Sequence, residues 1–246
     1  MNRILFRMNE VPDSGRVLLT DQRAHHVCSV LRPSLREALR VGILNGPKGE
    51  GEVVALSEDS VELDCHFDSE APEVPPVDLL LATPRPKVMK RLWAPLASLG
   101  LGRIIITNAA RVERNYFDTH WLDRANYEPL LIEGLQQAGT TRMPDVTVAR
   151  RFRPLIEDQL DELCPDTKRM VAHPHDAAPL ATARMGEAGQ RLLLAVGPEG
   201  GWVPFELELM QTAGFRAVSL PFGPLRTDVA CIALIACGVL RSKLPH

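Results

Sequence analysis

Two short segments hold the residues best suited to chemistry. Gly197-Pro-Glu-Gly-Gly201 sets three glycines in five positions around a carboxylate, and Pro221-Phe-Gly-Pro-Leu-Arg-Thr-Asp228 sets an arginine two residues before an aspartate. Glycine at this density lets the backbone approach a ligand closely and present N–H and C=O groups to it directly. The chain contains neither a GxGxxG fingerprint nor a GxxxxGK[ST] phosphate loop, so a ligand at these loops is expected to be gripped by something other than its phosphates. Thr227 is a candidate N-cap, with Asp228 in the first helical turn. A lone arginine is usually a solvated surface group. Arg226, standing between two glycine-containing loops, is expected to point into a site instead. One glycine-bearing turn would mean little, since many turns between strand and helix contain glycine; the pairing of two carries the argument.

These loops can meet only if they leave the carboxyl ends of neighbouring strands, where open α/β sheets form their ligand crevice. The sequence supports that arrangement. After residue 76, apolar runs predict strands at 77–82, 103–107, 146–149, 169–173, 191–196 and 217–220, alternating with helices at 88–99, 120–137, 154–163, 204–213 and 228–240. Gly100 and Gly214 stand where helix C-caps belong. Such an order predicts a mostly parallel sheet covered on both faces. Within the last helix the run 229–240 is apolar all round and rich in small residues, which predicts burial, a dimer interface or close backbone packing. Residues 1–70 read differently. Short β-favouring runs at 16–19, 41–44 and 51–67 surround one short helix at 24–32, stopped by Pro33, and suggest a small barrel. The acidic, proline-rich stretch 69–76 is the best linker. The expected domains are 1–70 and 77–246, joined by 71–76.

Composition narrows the function classes. The 246 residues carry a net charge of -3, unevenly spread. Residues 1–70 hold 8 basic against 12 acidic side chains, whereas 79–154 hold 12 against 6. A local basic excess is what a phosphate-facing surface needs, although a solvated helix face produces the same count. Five cysteines, odd in number and without a CxxC pair, argue against a zinc site or a disulfide framework. The start is too short and polar for a signal peptide, and a 12-residue apolar run cannot span a bilayer. A soluble cytoplasmic protein with no metal and no membrane is expected.

The two loops together resemble the RsmE-type family of ribosomal RNA methyltransferases, of the SPOUT class. GPEGG is complete at 197–201; Leu225, Arg226, Thr227 and Ala230 match the family's second motif; and the run from His26 to Arg32 is similar to its His-x-x-x-Val-Leu-Arg signature. The likeness covers nearly the whole length. Asp228-Val229 stands where the family has Glu-Thr, Pro95 and Ser98 replace a lysine and a glutamate, and Thr140 takes an arginine's place with Arg142 two residues on.

The resemblance implies a PUA-like β-barrel followed by a SPOUT α/β domain whose last strands form a deep trefoil knot, a rare exception to the avoidance of knots. It implies S-adenosylmethionine in that knot, contacted by Thr83, His173, Val196, Gly197, Glu199, Gly200, Gly201, Leu220, Pro221, Gly223, Leu225, Arg226, Thr227 and Ala230. The family reaction is methylation of N3 of a uridine in 16S ribosomal RNA. Arg226 is expected to stabilise the developing negative charge on uracil, and Asp228 either orients Arg226, accepts the proton or is simply a helix-start carboxylate. RNA, free or in the small ribosomal subunit, is expected along Arg85, Lys87, Arg111, Arg114, Arg142, Arg150, Arg151 and Arg153, and at Arg32 of the barrel. A homodimer through the C-terminal helices is implied, one barrel reaching toward its partner's site. Two alternatives stay open: methylation of another position, such as a ribose 2′-hydroxyl, and a non-catalytic assembly factor.

Overall fold

The computed structural model describes residues 2–174, 177–180, 182–183, 190–221 and 225–242. The chain divides into two compact units, Met1–Glu73 with Ile132–Met143, and Val74–Leu131 with Pro144–His246.

The first unit is a five-stranded sheet in the order β1-β3-β4-β5-β2, built from β1 (Ile4–Phe6), β2 (Arg16–Leu19), β3 (Ala38–Ile43), β4 (Lys48–Leu56) and β5 (Val61–Phe67). The β1–β3 pair is parallel and the others antiparallel. Ile4 and Phe6 from one edge strand and Val17 and Leu19 from the other join a single apolar cluster with Val41, Val53 and Leu63, so the sheet curls around its core. The expected short helix splits into α1 (Gln22–His26) and a π-helical turn (Val27–Leu31), which Arg32 ends in the left-handed region at φ +49°. Two features were not legible in the sequence. Strand β1 is only three residues long, and the segment 132–143 joins this unit although it lies far along the chain. The turn at Asn45, itself at φ +58°, grips that segment: Asn45 N–H donates to Thr141 O at 2.8 Å, and the Thr141 hydroxyl donates to Gly46 O at 2.7 Å.

The second unit is a seven-stranded, wholly parallel sheet in the order β10-β12-β9-β11-β6-β7-β8. Its strands are β6 (Val77–Ala82), β7 (Arg103–Thr107), β8 (Asp145–Ala149), β9 (Lys168–Ala172), β10 (Ala178–Pro179), β11 (Leu192–Val196) and β12 (Arg216–Ser219). Every residue of β6 and β11 is buried, so both faces of the sheet centre are covered, as continuous apolar runs require. The helices are α2 (Pro86–Ser98), α3 (Arg124–Ala138, whose residues from Ile132 on belong to the first unit), α4 (Phe152–Pro154), α5 (Leu160–Leu163), α6 (Pro204–Thr212) and α7 (Thr227–Ser242). A π-helical turn, Leu155–Gln159, joins α4 to α5. Gly100 and Gly214 follow α2 and α6 at φ +75° and +85°, the left-handed caps that end those helices.

Helix α7 departs from expectation. Cys231, Leu234, Ile235 and Gly238 are buried, whereas Val229, Ile232 and Leu240 are 42, 38 and 65 % exposed. The helix is apolar all round, but one sheet covers only one side of it. Contact is close at Gly238, where a Cβ would lie 3.1 Å from the side chains of Leu192 and Leu194 on β11. Thr227 is the first helical residue rather than the N-cap, because Ala230 N–H already bonds to Arg226 O at 2.9 Å. No helix of the described residues is long and apolar enough to cross a membrane.

Candidate active site

Strands β9, β11 and β12 are neighbours in the parallel sheet, so their carboxyl ends open at one edge. There the loop after β11, the end of β12 and the start of α7 enclose a cavity of about 300 Å³. The cavity is lined by ten residues singled out from the sequence: His173, Val196, Gly197, Glu199, Gly200, Gly201, Leu220, Leu225, Thr227 and Ala230. Its remaining walls are Ala172, Pro174, Pro198, Trp202, Val218, Ser219 and Leu234. Trp202 was legible as the residue following the glycine loop; Val218 and Ser219 were legible only as a strand end. A side chain at Gly197 would crowd the wall, since a Cβ would stand 3.0 Å from the Trp202 indole Nε1. Gly201 turns the loop at φ +73°.

The loop is braced from outside. Arg111, expected to meet RNA, donates from its guanidinium to Gly200 O, and a Cβ on Gly200 would strike the Arg111 stem at 3.0 Å. Glu199 accepts the Arg85 backbone N–H at 3.2 Å. Glu206, 3 % exposed, accepts Val203 N–H at 3.0 Å and Ala110 N–H at 2.7 Å, tying the start of α6 to the loop after β7. A buried carboxylate costs several kcal/mol unless its oxygens are bonded, so this clamp stiffens the wall.

A second cavity, about 440 Å³, is lined by Arg85, Val88, Arg91, Glu199, Leu225, Arg226, Thr227 and Asp228. It shares Glu199, Leu225 and Thr227 with the first. Arg226 and Asp228 therefore line this neighbouring space, with Arg226 Nη2 3.4 Å from Asp228 Oδ2. Sequence reasoning missed Arg91, whose position on α2 carries no local signal. Cys231, fully buried below Asp228, has its thiol pushed up to about 12, first by burial and then by the carboxylate, and is no nucleophile.

Other site candidates lie elsewhere. Thr83 is fully buried and lines neither cavity; its hydroxyl donates to Thr107 O at 2.9 Å, locking β6 to β7. Pro221 is exposed and lines neither cavity; Gly223 lies outside the described residues. Lys87, Arg114 and Arg151 are exposed on the second unit. Arg150 lies 3.8 Å from Asp118, and Arg153 Nε bonds both Glu157 oxygens at 2.9 Å. In the first unit, Arg32 is exposed and caps Ser29 O at 2.9 Å, whereas Arg142 donates to Pro72 O at 2.9 Å and Asn45 O at 3.3 Å. Among the described residues no cluster of three metal-ligating side chains occurs.

Comparison with known proteins agrees with this architecture. The family model of the RNA methyltransferase domain matches residues 71–238. Ribosomal RNA small subunit methyltransferase E of Treponema pallidum is 31% identical over 98% of this chain and 90% of its own. Ribosomal RNA small subunit methyltransferase E 1 of Borreliella burgdorferi is 25% identical over 99% of each. Among solved structures, ribosomal RNA small subunit methyltransferase E from Neisseria gonorrhoeae, bound to S-adenosyl methionine, shares the fold with a TM-score of 0.74 at 24% identity over 95% of each chain. The chain belongs to the ribosomal RNA small subunit methyltransferase E family of RNA methyltransferases.

Proposed function

We propose that this chain methylates N3 of a uridine in 16S ribosomal RNA, with S-adenosylmethionine as methyl donor in the first cavity. The observation that carries the reading is the pair of cavities that share Glu199, Leu225 and Thr227: one walled largely by a glycine loop and apolar side chains, the other by three arginines and two carboxylates. The residues fit such a donor. Leu220, Leu225, Ala230 and Leu234 offer apolar surface to an adenine ring, and the 197–201 loop offers N–H and C=O groups at a wall where a side chain at Gly197 would crowd Trp202.

When bound, the donor supplies an electrophilic methyl group, and the chain's own work is alignment and charge stabilisation. N3 of uridine loses its proton to water, its electron pair forms the new N–CH₃ bond, and the C–S bond breaks with its pair returning to sulfur. The base must leave its stack first, at a cost of a few kcal/mol that contacts in the second cavity offset. Arg226 faces that cavity and stabilises the uracil anion; Asp228 orients Arg226. Looped or single-stranded RNA fits best, because A-form grooves hide the pairing edge. Arg32, Arg85, Lys87, Arg114 and Arg151 are among the exposed cations available to its phosphates.

The curled sheet of the first unit supports a PUA-like fold. The strand order supports a trefoil knot: the chain places β11 on one side of β9 and returns to insert β12 on the other. The apolar stripe Val229, Ile232 and Leu240 supports a homodimer through α7. The reaction places the protein in the cytoplasm, with the small ribosomal subunit or its RNA. Mass analysis of ribosomal nucleosides from a deletion strain tests the proposal. Loss of 3-methyluridine is expected; its persistence, with loss of a ribose-methylated nucleoside instead, would sink it. Calorimetry with S-adenosylmethionine separates an enzyme from a non-catalytic assembly factor, for which no binding heat would be seen.

A further inference from the structure

The second cavity holds two cations that share one anion. Asp228 Oδ2 lies 3.0 Å from Arg91 Nη2 and 3.4 Å from Arg226 Nη2. The Asp228 side chain is 15 % exposed, against 60 % for Arg91 and 75 % for Arg226, so the carboxylate is the fixed member. Its Oδ1 accepts Val229 N–H at 3.0 Å in the first turn of α7, where the positive end of the helix adds to its hold. Arg91 reaches it from α2 and Arg226 from the loop before α7. One arginine beside one carboxylate makes a neutral pair. Two on the same oxygen compete, and Arg91 has the shorter contact. Among the described residues lining this cavity, Arg85, Arg91 and Arg226 stand against Glu199 and Asp228, an excess of one positive charge.

We propose that Arg91 is a positioning residue for methyl transfer: by taking up much of the Asp228 charge it keeps Arg226 oriented but not neutralised, so that the cavity's excess positive charge meets an acceptor base that has lost its N3 proton. The inference rests on the function proposed above. With glutamine at 91, Arg226 closes onto Asp228 without Arg91 competing for it, and the base anion loses its counter-charge.

The test uses the full chain, its Arg91→Gln and Arg91→Lys variants, and small ribosomal subunits from a strain lacking the gene. Three readouts are taken: single-turnover formation of 3-methyluridine against pH, calorimetric affinity for S-adenosylmethionine, and the ¹⁵N resonance of the Arg226 guanidinium. For Arg91→Gln the rate at neutral pH is expected to fall about tenfold or more. The midpoint of its pH profile is expected to rise by about one unit, because removing a cation makes the base harder to deprotonate. Donor affinity stays at the parent value, and the Arg226 resonance moves. Arg91→Lys restores rate, midpoint and resonance. An Arg91→Gln variant with the parent rate and midpoint overturns the inference. So does one that loses donor binding, because Arg91 is then a structural residue. A parent chain that forms no 3-methyluridine overturns the functional reading itself, which is a separate failure.

Discussion

Arg226 lines the second cavity, yet its side chain is three-quarters exposed and its one described ion pair is long. Such a residue contributes little to folding, since exposed pairs are worth about 1 kcal/mol or less. Arg226→Ala is therefore expected to leave circular dichroism and the unfolding midpoint nearly unchanged while slowing methyl transfer about a hundredfold to a thousandfold, the usual loss for a charge-stabilising donor. An active variant would remove Arg226 from the mechanism. Arg23 in the first unit shows the opposite balance. Its guanidinium bonds Leu5 O, Glu10 and Asp21. Burial pulls Glu10 upward, but the Arg23 and Arg7 hydrogen bonds outweigh it and hold the carboxyl below its ordinary value; Asp21 is lowered chiefly by its own hydrogen bond to Arg23. Lowered carboxylates stabilise the fold at neutral pH, and that contribution is lost as pH falls through the ordinary carboxylate range, near about 4, toward the depressed values. The protection of β1 amides, taken relative to their intrinsic exchange rate at each pH, is expected to fall over that window in the parent chain. In Glu10→Gln the fall should be weaker; an unchanged pH dependence of protection would dismiss the network.

At the scale of elements, α7 shows what local pattern can and cannot say. Its small and apolar residues mark a helix packed closely on something, and Gly238 against Leu192 and Leu194 bears this out. The pattern could not say that one face would stay uncovered, because residues on both faces are equally apolar and only the neighbouring strands decide which is buried. Ile232 lies on the open face. Ile232→Asp is expected to cost less than about 1 kcal/mol of stability, mainly helix propensity, and to convert the chain to its 27.2 kDa monomer by light scattering. A parent chain already monomeric at micromolar concentration would refute pairing through α7. Glu206 carries a related lesson. Its reach to Val203 follows from helix-start spacing, whereas its second bond, to Ala110, joins positions almost a hundred residues apart and left no local trace.

At the scale of the molecule, a chain of net charge -3 is proposed to bind a polyanion. The basic excess in residues 79–154 makes this feasible only through local contacts, so binding must be strongly salt-dependent. With about five phosphate contacts, affinity for single-stranded RNA is expected to drop roughly a hundredfold between about 50 and 200 mM salt; a flat dependence would reject the basic surface. The sequence by itself determined the alternation of strands and helices after residue 76, the two loops and the glycines that shape them, because periodicity, chain reversal and backbone freedom are local properties of a few adjacent residues. Only the tertiary structure decided that Arg111 braces a loop, that residues 132–143 join the first unit, and that Arg91 shares Asp228 with Arg226. Each of these depends on distant segments being brought within a few ångströms by the packing of the core, and no spacing along the chain encodes such a distance.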